Sequence, residues 1–373
     1  MKVLSKLKKM TLLVLSIVLS TMTTLAQNQE RIYIQNLTVE PGNSEELYYM
    51  VVSLENGSDE TYTAFQVDIE LPAGLEVSYY DGEPEVYLPM SNHVYATDRR
   101  GNLLHTVAYN VVDNLIKIRC YSSTNEKFTK MTGDLLEIGL IPSAYLKPGD
   151  VEIKMHGVKF ANIAEQPGYS ADLITSTAIK AVDKSTLSLK VSANNRFSTA
   201  VLPFDVAKIP TGLDVYSCNS TSGESLVLSK QQSIKAYTPY ILYAANGYNG
   251  TLSGTVDASK YSETVADGYL TGTVVNQIIS GGNGHYVMQN KGEGAMFYKV
   301  EDTEFAIPAG KCWLTLPAEL QGSIAFRIDG ATGIEDVKTE NENEKTVFDL
   351  LGRKVENPAN GIYIIDGKKI IIR

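Results

Sequence analysis

The chain has few of the residues that build metal, redox or nucleophilic sites. Its 373 residues include three cysteines, four histidines and one tryptophan. No two histidines have the i, i+4 spacing of a helical zinc site, and no histidine–cysteine group has zinc-ligand spacing. The sequence also contains neither a G-x-S-x-G nucleophile motif nor a P-loop. We therefore expect no catalytic residue, no metal site and no cofactor.

The three cysteines allow one disulfide at most, because their number is odd. Cys120 lies in an alternating run, residues 115–121, which is typical of a buried strand residue. Cys218 and Cys312 lie in a later region of the chain. The sequence leaves open whether they form a bridge or remain buried thiols.

An excess of basic residues is also missing. The chain has 33 lysines and arginines against 43 acids, which gives a formal net charge of −10. No basic patch is interleaved with aromatic residues, and an acidic chain repels phosphate backbones. We therefore exclude nucleic acid as a partner.

Long hydrophobic runs are absent after the first residues. Lysines at positions 2, 6, 8 and 9 precede an apolar run at 10–19, and Thr24, Leu25 and Ala26 offer small residues for cleavage. The run is too short for a span of about 20 residues. Residues 1–26 are therefore predicted to be a signal peptide that is cleaved after Ala26, and the secreted chain is expected to have no transmembrane segment.

The remaining chain is predicted to be all-β, with two β-sandwich domains and a small C-terminal β tail. Residues 27–180 contain short apolar-alternating runs that are separated by Gly, Pro and Asn clusters, a spacing that favours a sandwich. In residues 64–70, Phe65, Val67 and Ile69 alternate with polar residues. The runs predicted as strands are 32–39, 46–54, 63–71, 93–97, 103–111, 115–121, 135–141 and 151–160.

Several motifs of residues 27–180 come in a characteristic order. A first strand at 37–40 is followed by the turn Pro41-Gly42. The strand at 64–70 is followed by the segment L-P-A-G-L. A strand at 133–138, which begins with G-D-L, is followed by the turn Pro148-Gly149-Asp150. This order resembles cohesin-like domains, which are jelly-roll sandwiches related to carbohydrate-binding modules. The resemblance implies recognition through a sheet face, which in cohesins binds a dockerin.

Residues 181–330 are richer in Gly, Ser and Thr and are predicted to form a second, Ig-like β-sandwich. They carry the segments LPF at 202–204, PYIL at 239–242, GHYVMQ at 284–289 and IPAGKCWL at 307–314. These segments resemble a module that precedes sorting tails in secreted proteins of the Bacteroidetes. The resemblance implies an architecture and a place in the chain, and it implies no activity.

An acidic segment without pattern, residues 331–345, is predicted to be a flexible linker to the tail at 346–373. The tail resembles the C-terminal sorting domain of type IX secretion substrates in the Bacteroidetes. That resemblance implies the secretion machinery as a partner and a secreted or cell-surface location, associated with the outer membrane. The residues that carry the motif are Asp349, Gly352, Arg353, Gly361, Tyr363, Lys368 and Lys369.

Tyrosine is abundant, with 22 residues. Tyr79, Tyr80 and Tyr87 are predicted to lie in one loop, and they are the candidate binding residues because tyrosine offers a large contact area at low entropic cost. The favoured function is a non-catalytic adhesion or scaffold protein at the cell surface that recognises a protein partner. The alternatives are a carbohydrate-binding module protein of a glycan-utilisation system, and a glycoside hydrolase-like enzyme with an unrecognised carboxylate pair.

Overall fold

The computed structural model describes residues 30–57, 60–162, 167–222, 225–282, 284–291, 294–301 and 304–321, and the backbone of four later strands. This part of the chain is nearly all β, which confirms the predicted fold class. Its two helices are single 3-10 turns, Ala258–Lys260 and Ala318–Leu320. None of the helices described is long and apolar enough to cross a membrane. The chain divides into two compact units, Met1–Asp329 and Gly330–Arg373.

The first thirteen strands comprise one sandwich of eleven strands and a separate two-stranded hairpin. They are β1 Arg31–Ile34, β2 Leu37–Val39, β3 Tyr48–Glu55, β4 Ala64–Glu70, β5 Leu75–Val77, β6 Tyr79–Tyr80, β7 Glu83–Pro84, β8 Val86–Tyr87, β9 Thr106–Val112, β10 Leu115–Tyr121, β11 Thr132–Pro142, β12 Gly149–Ala161 and β13 Pro167–Ala181.

Two sheets face each other in this sandwich. One has the order β1-β3-β11-β5, with β8 also paired to β11, and the other has the order β2-β13-β12-β4-β10-β9. Alternation in β4 buries Phe65, Val67 and Ile69, and these residues lie opposite the buried Cys120, Ile118 and Ile116 of β10. Because successive side chains of a strand point to opposite faces, the other residues of β4 are left on the outer surface.

One end of the core is aromatic and includes His105. The His105 ring lies 5.0 Å from Tyr95 and 5.1 Å from Phe128, measured between ring centroids. It is 5% exposed, and neither ring nitrogen has a hydrogen-bond partner among the described residues. Burial lowers the pKa of His105. The imidazole is therefore held in its neutral form, because charging it inside this cluster would cost desolvation free energy.

The next fourteen strands form the rest of the larger unit. They are β14 Lys184–Val191, β15 Phe197–Val201, β16 Asp214–Ser222, β17 Ser225–Lys230, β18 Pro239–Tyr243, β19 Tyr248–Thr255, β20 Thr264–Asp267, β21 Leu270–Thr273, β22 Gln277–Ser280, β23 His285–Asn290, β24 Ala295–Lys299, β25 Glu304–Ile307, β26 Cys312–Thr315 and β27 Ala325–Arg327.

Ten of these strands form one sheet, in the order β15-β18-β16-β17-β27-β24-β23-β26-β21-β20. The sheet curls until β26 lies against β15, where the Cys312 amide donates to Thr199 Oγ1 at 3.0 Å. The Cys312 thiol donates to the Ala200 carbonyl at 3.3 Å. Cys120, Cys218 and Cys312 are all buried free thiols, so Cys218 and Cys312 form no bridge. Burial raises the pKa of Cys218 to about 11 and that of Cys312 to about 12.

The connection after β11 joins the sandwich to the later strands. The Tyr145 hydroxyl donates to the Val201 carbonyl of β15 at 3.0 Å, and burial raises the pKa of this hydroxyl. The tyrosine packs against an apolar cluster that contains Val201, Val274 and Cys312. Gly310 lies under the ring at a φ of +77°, and a Cβ built there would come within 1.9 Å of the Tyr145 oxygen. Position 310 therefore has no room for a side chain.

The smaller unit contains a three-stranded antiparallel sheet, as predicted for the tail. Its strands are β28 Val347–Phe348, β29 Gly361–Ile365 and β30 Lys368–Ile372, in that order. Tyr363 lies opposite Ile370, and Lys369 lies opposite Ile364. Gly361 begins β29 and Lys368 begins β30. The other motif residues, Asp349, Gly352 and Arg353, lie outside the described residues.

We predict that Gly310→Ala lowers the free energy of unfolding by about 2–5 kcal/mol. The estimate adds the cost of a side chain in the left-handed region, about 1–2 kcal/mol, to that of overpacking, about 1–3 kcal/mol. Gly282→Ala is the matched control, because its φ is +79° and no atom lies within 4 Å of the added Cβ. Urea unfolding of both variants measures the difference. Equal losses would show that Tyr145 does not restrict position 310.

Candidate functional site

Tyr79 and Tyr80 lie on a short hairpin. They form β6, which pairs with β7 through the turn Asp81-Gly82. The φ angles of these two turn residues are +51° and +85°, as a tight turn with two left-handed residues requires. Tyr79 is 53% exposed and Tyr80 74%. The prediction that these residues lie in one loop with Tyr87 is wrong, because two-residue strands give them a defined pairing.

Tyr87 belongs to the sheet itself. It lies on β8 opposite Glu137 of β11, while Tyr49 of β3 lies opposite Gly139 of β11. Directly opposed residues share a face, and positions 137 and 139 point the same way, so Tyr87 and Tyr49 are both on the outer face of the five-stranded sheet. The hairpin closes where the Glu85 amide donates to the Ser78 carbonyl at 2.8 Å, and Tyr87 follows Glu85 by two positions on β8. The structure therefore brings Tyr87 together with the hairpin tyrosines.

A buried carboxylate lies beneath these rings. Glu85 is 7% exposed, and its side chain accepts hydrogen bonds from Ser78 Oγ at 2.6 Å, from the Tyr49 hydroxyl at 3.3 Å and from the Tyr87 hydroxyl at 3.5 Å. Burial raises the pKa of Tyr49 and Tyr87, and the Glu85 charge adds to the effect. The Glu85 side chain fits because residue 139 is a glycine: a Cβ at position 139 would lie 2.9 Å from the Glu85 Cβ. Glu85 thereby fixes the hydroxyl ends of two exposed tyrosines.

Exposed apolar side chains are concentrated around this carboxylate. Leu47, just before β3, and Ile141 of β11 are both exposed. Ile141 lies two positions after Gly139 and therefore points to the same side of β11. We call the outer surface formed by Tyr49, Tyr87, Leu47 and Ile141, together with the adjoining exposed hairpin residues Tyr79 and Tyr80, the tyrosine face. These six are among the thirteen large hydrophobic side chains exposed in the described part of the chain. Contiguous exposed apolar surface of this kind marks interaction sites more often than scattered side chains do.

The outer face of the six-stranded sheet has a different character. Arg119 of β10 pairs with Asp68 of β4 at 2.9 Å, and His156 of β12 contacts Glu70 of β4 at 2.8 Å. Lys154 extends this row, with Glu70 at 3.9 Å. The charges of this sheet face are thus largely paired across strands. The face also exposes Tyr121, Val112 and Leu173, but these are fewer than the exposed rings and aliphatic groups of the tyrosine face.

Two carboxylates are buried among the described residues, Glu85 and Asp134. Asp134 accepts hydrogen bonds from Gln35 Nε2 at 2.8 Å, Ser53 Oγ at 2.8 Å and Asn92 Nδ2 at 3.2 Å. Each acid is thus held by neutral donors from neighbouring strands and loops. Such bonds satisfy a buried carboxylate, which is a structural role.

Sequence reasoning did not select Tyr49 or Glu85 as site residues. The alternation of Met50, Val52 and Leu54 places Tyr48 inside and Tyr49 outside, so the pattern contained the information for Tyr49. Glu85 gave no such indication, because its neighbours Glu83 and Pro84 are typical of a turn. Its role depends on contacts with residues from β3 and from the end of β5.

No protein-family model matches this chain, and neither does any curated protein. Solved structures similar to it include cohesin modules. The cohesin of a type I cohesin–dockerin complex from Clostridium thermocellum is 20% identical, with a TM-score of 0.32, and the match covers 42% of this chain and 100% of that one. A non-cellulosomal cohesin from Archaeoglobus fulgidus is 18% identical, with a TM-score of 0.31, over 41% and 91% of the two chains.

We predict that Glu85→Ala lowers the free energy of unfolding by about 1–3 kcal/mol, because the Ser78 hydroxyl loses its partner in a buried site. Tyr80→Ala removes an exposed ring and should change stability by less than about 0.5 kcal/mol. Thermal or urea unfolding of the two variants tests the difference. A Glu85→Ala protein as stable as the parent chain would refute the structural role of this carboxylate.

Proposed function

We propose that the chain is a non-catalytic binding protein of the cell surface that recognises a protein partner through the tyrosine face. The observation that carries this proposal is the group of exposed tyrosines on a paired β scaffold, with two of their hydroxyls bonded to the buried Glu85. A preformed surface loses little conformational entropy on binding, and tyrosine adds large contact area with a polar end. Binding would use the rings as anchors and the surrounding charged residues as a polar rim.

The aliphatic residues of the tyrosine face favour a protein over a glycan as the ligand. Leu47 and Ile141 are both exposed beside the rings. Sugar rings stack on aromatic surfaces and use polar side chains for their hydroxyls, and they gain little from branched aliphatic groups. Protein interfaces combine aromatic and aliphatic contacts at their centre. Carbohydrate binding is therefore an outcome that the experiment must distinguish.

The proposal includes delivery to the surface. Residues 1–26 would act as a cleaved signal peptide, and residues 346–373 as a sorting tail of the type IX kind. The pairing of β28, β29 and β30 supports a tail that folds as a unit of its own. Its two lysines, Lys368 and Lys369, begin the last strand.

We predict that replacing Tyr79, Tyr80 and Tyr87 by alanine weakens capture of the partner at least tenfold. The measurement immobilises the chain from Gln27 onward and exposes it to a cell-surface extract of the producing organism, followed by titration of the captured protein. Loss of exposed aromatic anchors typically costs about 1.4 kcal/mol or more, which corresponds to the tenfold change.

Tyr121→Ala is the matched control for this experiment, because Tyr121 is 47% exposed and lies on the other sheet of the sandwich. Capture should survive this change. Equal capture by the triple variant and the parent chain would exclude the tyrosine face as the binding surface. Recovery of polysaccharide alone would replace the protein partner by a glycan.

We also predict that deletion of residues 346–373 keeps the protein inside the cell envelope of a host with type IX secretion. The full chain should reach the surface or the medium with Gln27 as its first residue, as N-terminal sequencing can show. A variant in which residues 331–345 are exchanged for a Gly/Ser linker of equal length serves as the control and should be exported. Export of the deletion variant would disprove the sorting role.

A further inference from the structure

A separate pocket lies in the second half of the larger unit and is lined by no residue of the tyrosine face. Its volume is about 240 Å³, and it is lined by residues of β15, β23, β25 and the turn that precedes β26. The lining residues that matter here are Asn195, Phe197, Ser198, Gln289, Phe305 and Lys311. We call this cavity the Lys311 pocket.

Lys311 enters the pocket from a turn and is partly buried. Its ammonium donates to Ser198 Oγ at 2.9 Å and to the Thr199 carbonyl at 3.2 Å. An ammonium has three N–H groups, so these two bonds leave one donor. No carboxylate of the described residues lies within 4 Å of Lys311 Nζ. Lys311 is therefore a cation without a protein counter-ion.

The composition of the pocket makes this lysine unusual. The chain carries 43 acids and a net charge of −10, yet the residues that line this cavity include no Asp or Glu. Burial lowers the pKa of Lys311, as expected for a cation that has lost water without gaining an anion. Removing a charge from water costs free energy unless the charge is paired. An anionic ligand would supply the missing partner.

The other residues that line the pocket indicate the size and polarity of the ligand. Phe197 and Phe305 contribute apolar walls, and Phe197 is fixed by the Tyr243 ring at a centroid distance of 4.9 Å. The amide side chains of Asn195 and Gln289 also line the cavity, and amides both donate and accept hydrogen bonds. The volume lies just below the range of about 300–1,000 Å³ for drug-sized ligands. A molecule of one ring that carries hydroxyl groups suits these dimensions.

We propose that the Lys311 pocket binds a small hydroxylated carboxylate of single-ring size, the class to which the hexuronic acids belong. The carboxylate pairs with the Lys311 ammonium beside Ser198 Oγ. The ring lies against Phe197 and Phe305, and the amides of Asn195 and Gln289 bond its hydroxyls. This site is independent of the tyrosine face, so either assignment stands if the other fails.

The test titrates the chain from Gln27 onward with galacturonate, with its methyl ester and with galactose, by calorimetry or ligand-observed NMR. The proposal expects binding of galacturonate and at least tenfold weaker binding of the two uncharged sugars. Lys311→Met should abolish galacturonate binding. Lys299→Met is the matched control, since this strand lysine donates to the Gln321 carbonyl at 3.2 Å and does not line the pocket.

A measurement on the unmodified protein covers the case in which Lys311→Met does not fold. Reductive methylation of lysines, followed by peptide mass spectrometry, reports how accessible each ammonium is. Galacturonate should protect Lys311 at least threefold and leave Lys299 unchanged, and the methyl ester should protect neither. Absence of galacturonate binding, equal binding of the ester, or binding that survives Lys311→Met would each overturn the proposal.

Discussion

The contact between Tyr145 and Gly310 connects the two halves of the larger unit. The position of Lys311 and the packing of β26 on β15 depend on this contact. The Tyr145 hydroxyl bonds the Val201 carbonyl, and its ring occupies the space that a side chain at position 310 would need. Gly310 also donates to the Thr273 carbonyl and accepts from the Val201 amide, so it links β15 to β21. Lys311 and Cys312 follow directly in the chain. The position of the lysine in its pocket and the seating of β26 on β15 are thus consequences of one close approach.

Strand alternation gives the two outer faces of the sandwich opposite characters. Both sheets bury every second residue, but the residues left outside differ: β4 and β10 leave Asp68 and Arg119, which pair, whereas β3 and β8 leave Tyr49 and Tyr87. Paired surface charges are well hydrated and contribute little to either stability or binding. Exposed rings whose hydroxyls are bonded to a buried carboxylate retain apolar area for a partner and have lost part of their freedom already. This contrast supports the proposal that the tyrosine face is the binding surface.

Periodicity predicted those strands whose pattern is not interrupted. Residues 115–121 alternate without a break and form β10 as expected. The longest strand, β13 at Pro167–Ala181, was not predicted, because its pairing with β12 shifts register between Val151 and Ile153, and such a bulge breaks the period of two. Conversely, the run at 93–97 alternates but forms only isolated bridges, such as His93 with Asp134. The burial of His105 against Tyr95 and Phe128 is likewise a result of the fold that no period in the sequence shows.

The two candidate sites differ in how far a sequence can show them. Tyrosines on short strands were recognisable by type, but the carboxylate that orients two of them lies 36 positions from Tyr49, and only the folded register brings them together. Lys311 stands in an apolar run whose pattern predicts a strand and nothing more. Its unusual property is the lack of acidic residues around its ammonium. The residues that surround it come from three other segments of the chain, which the curl of the sheet brings together. A missing counter-ion is a feature of the tertiary structure, so only the folded chain can show it.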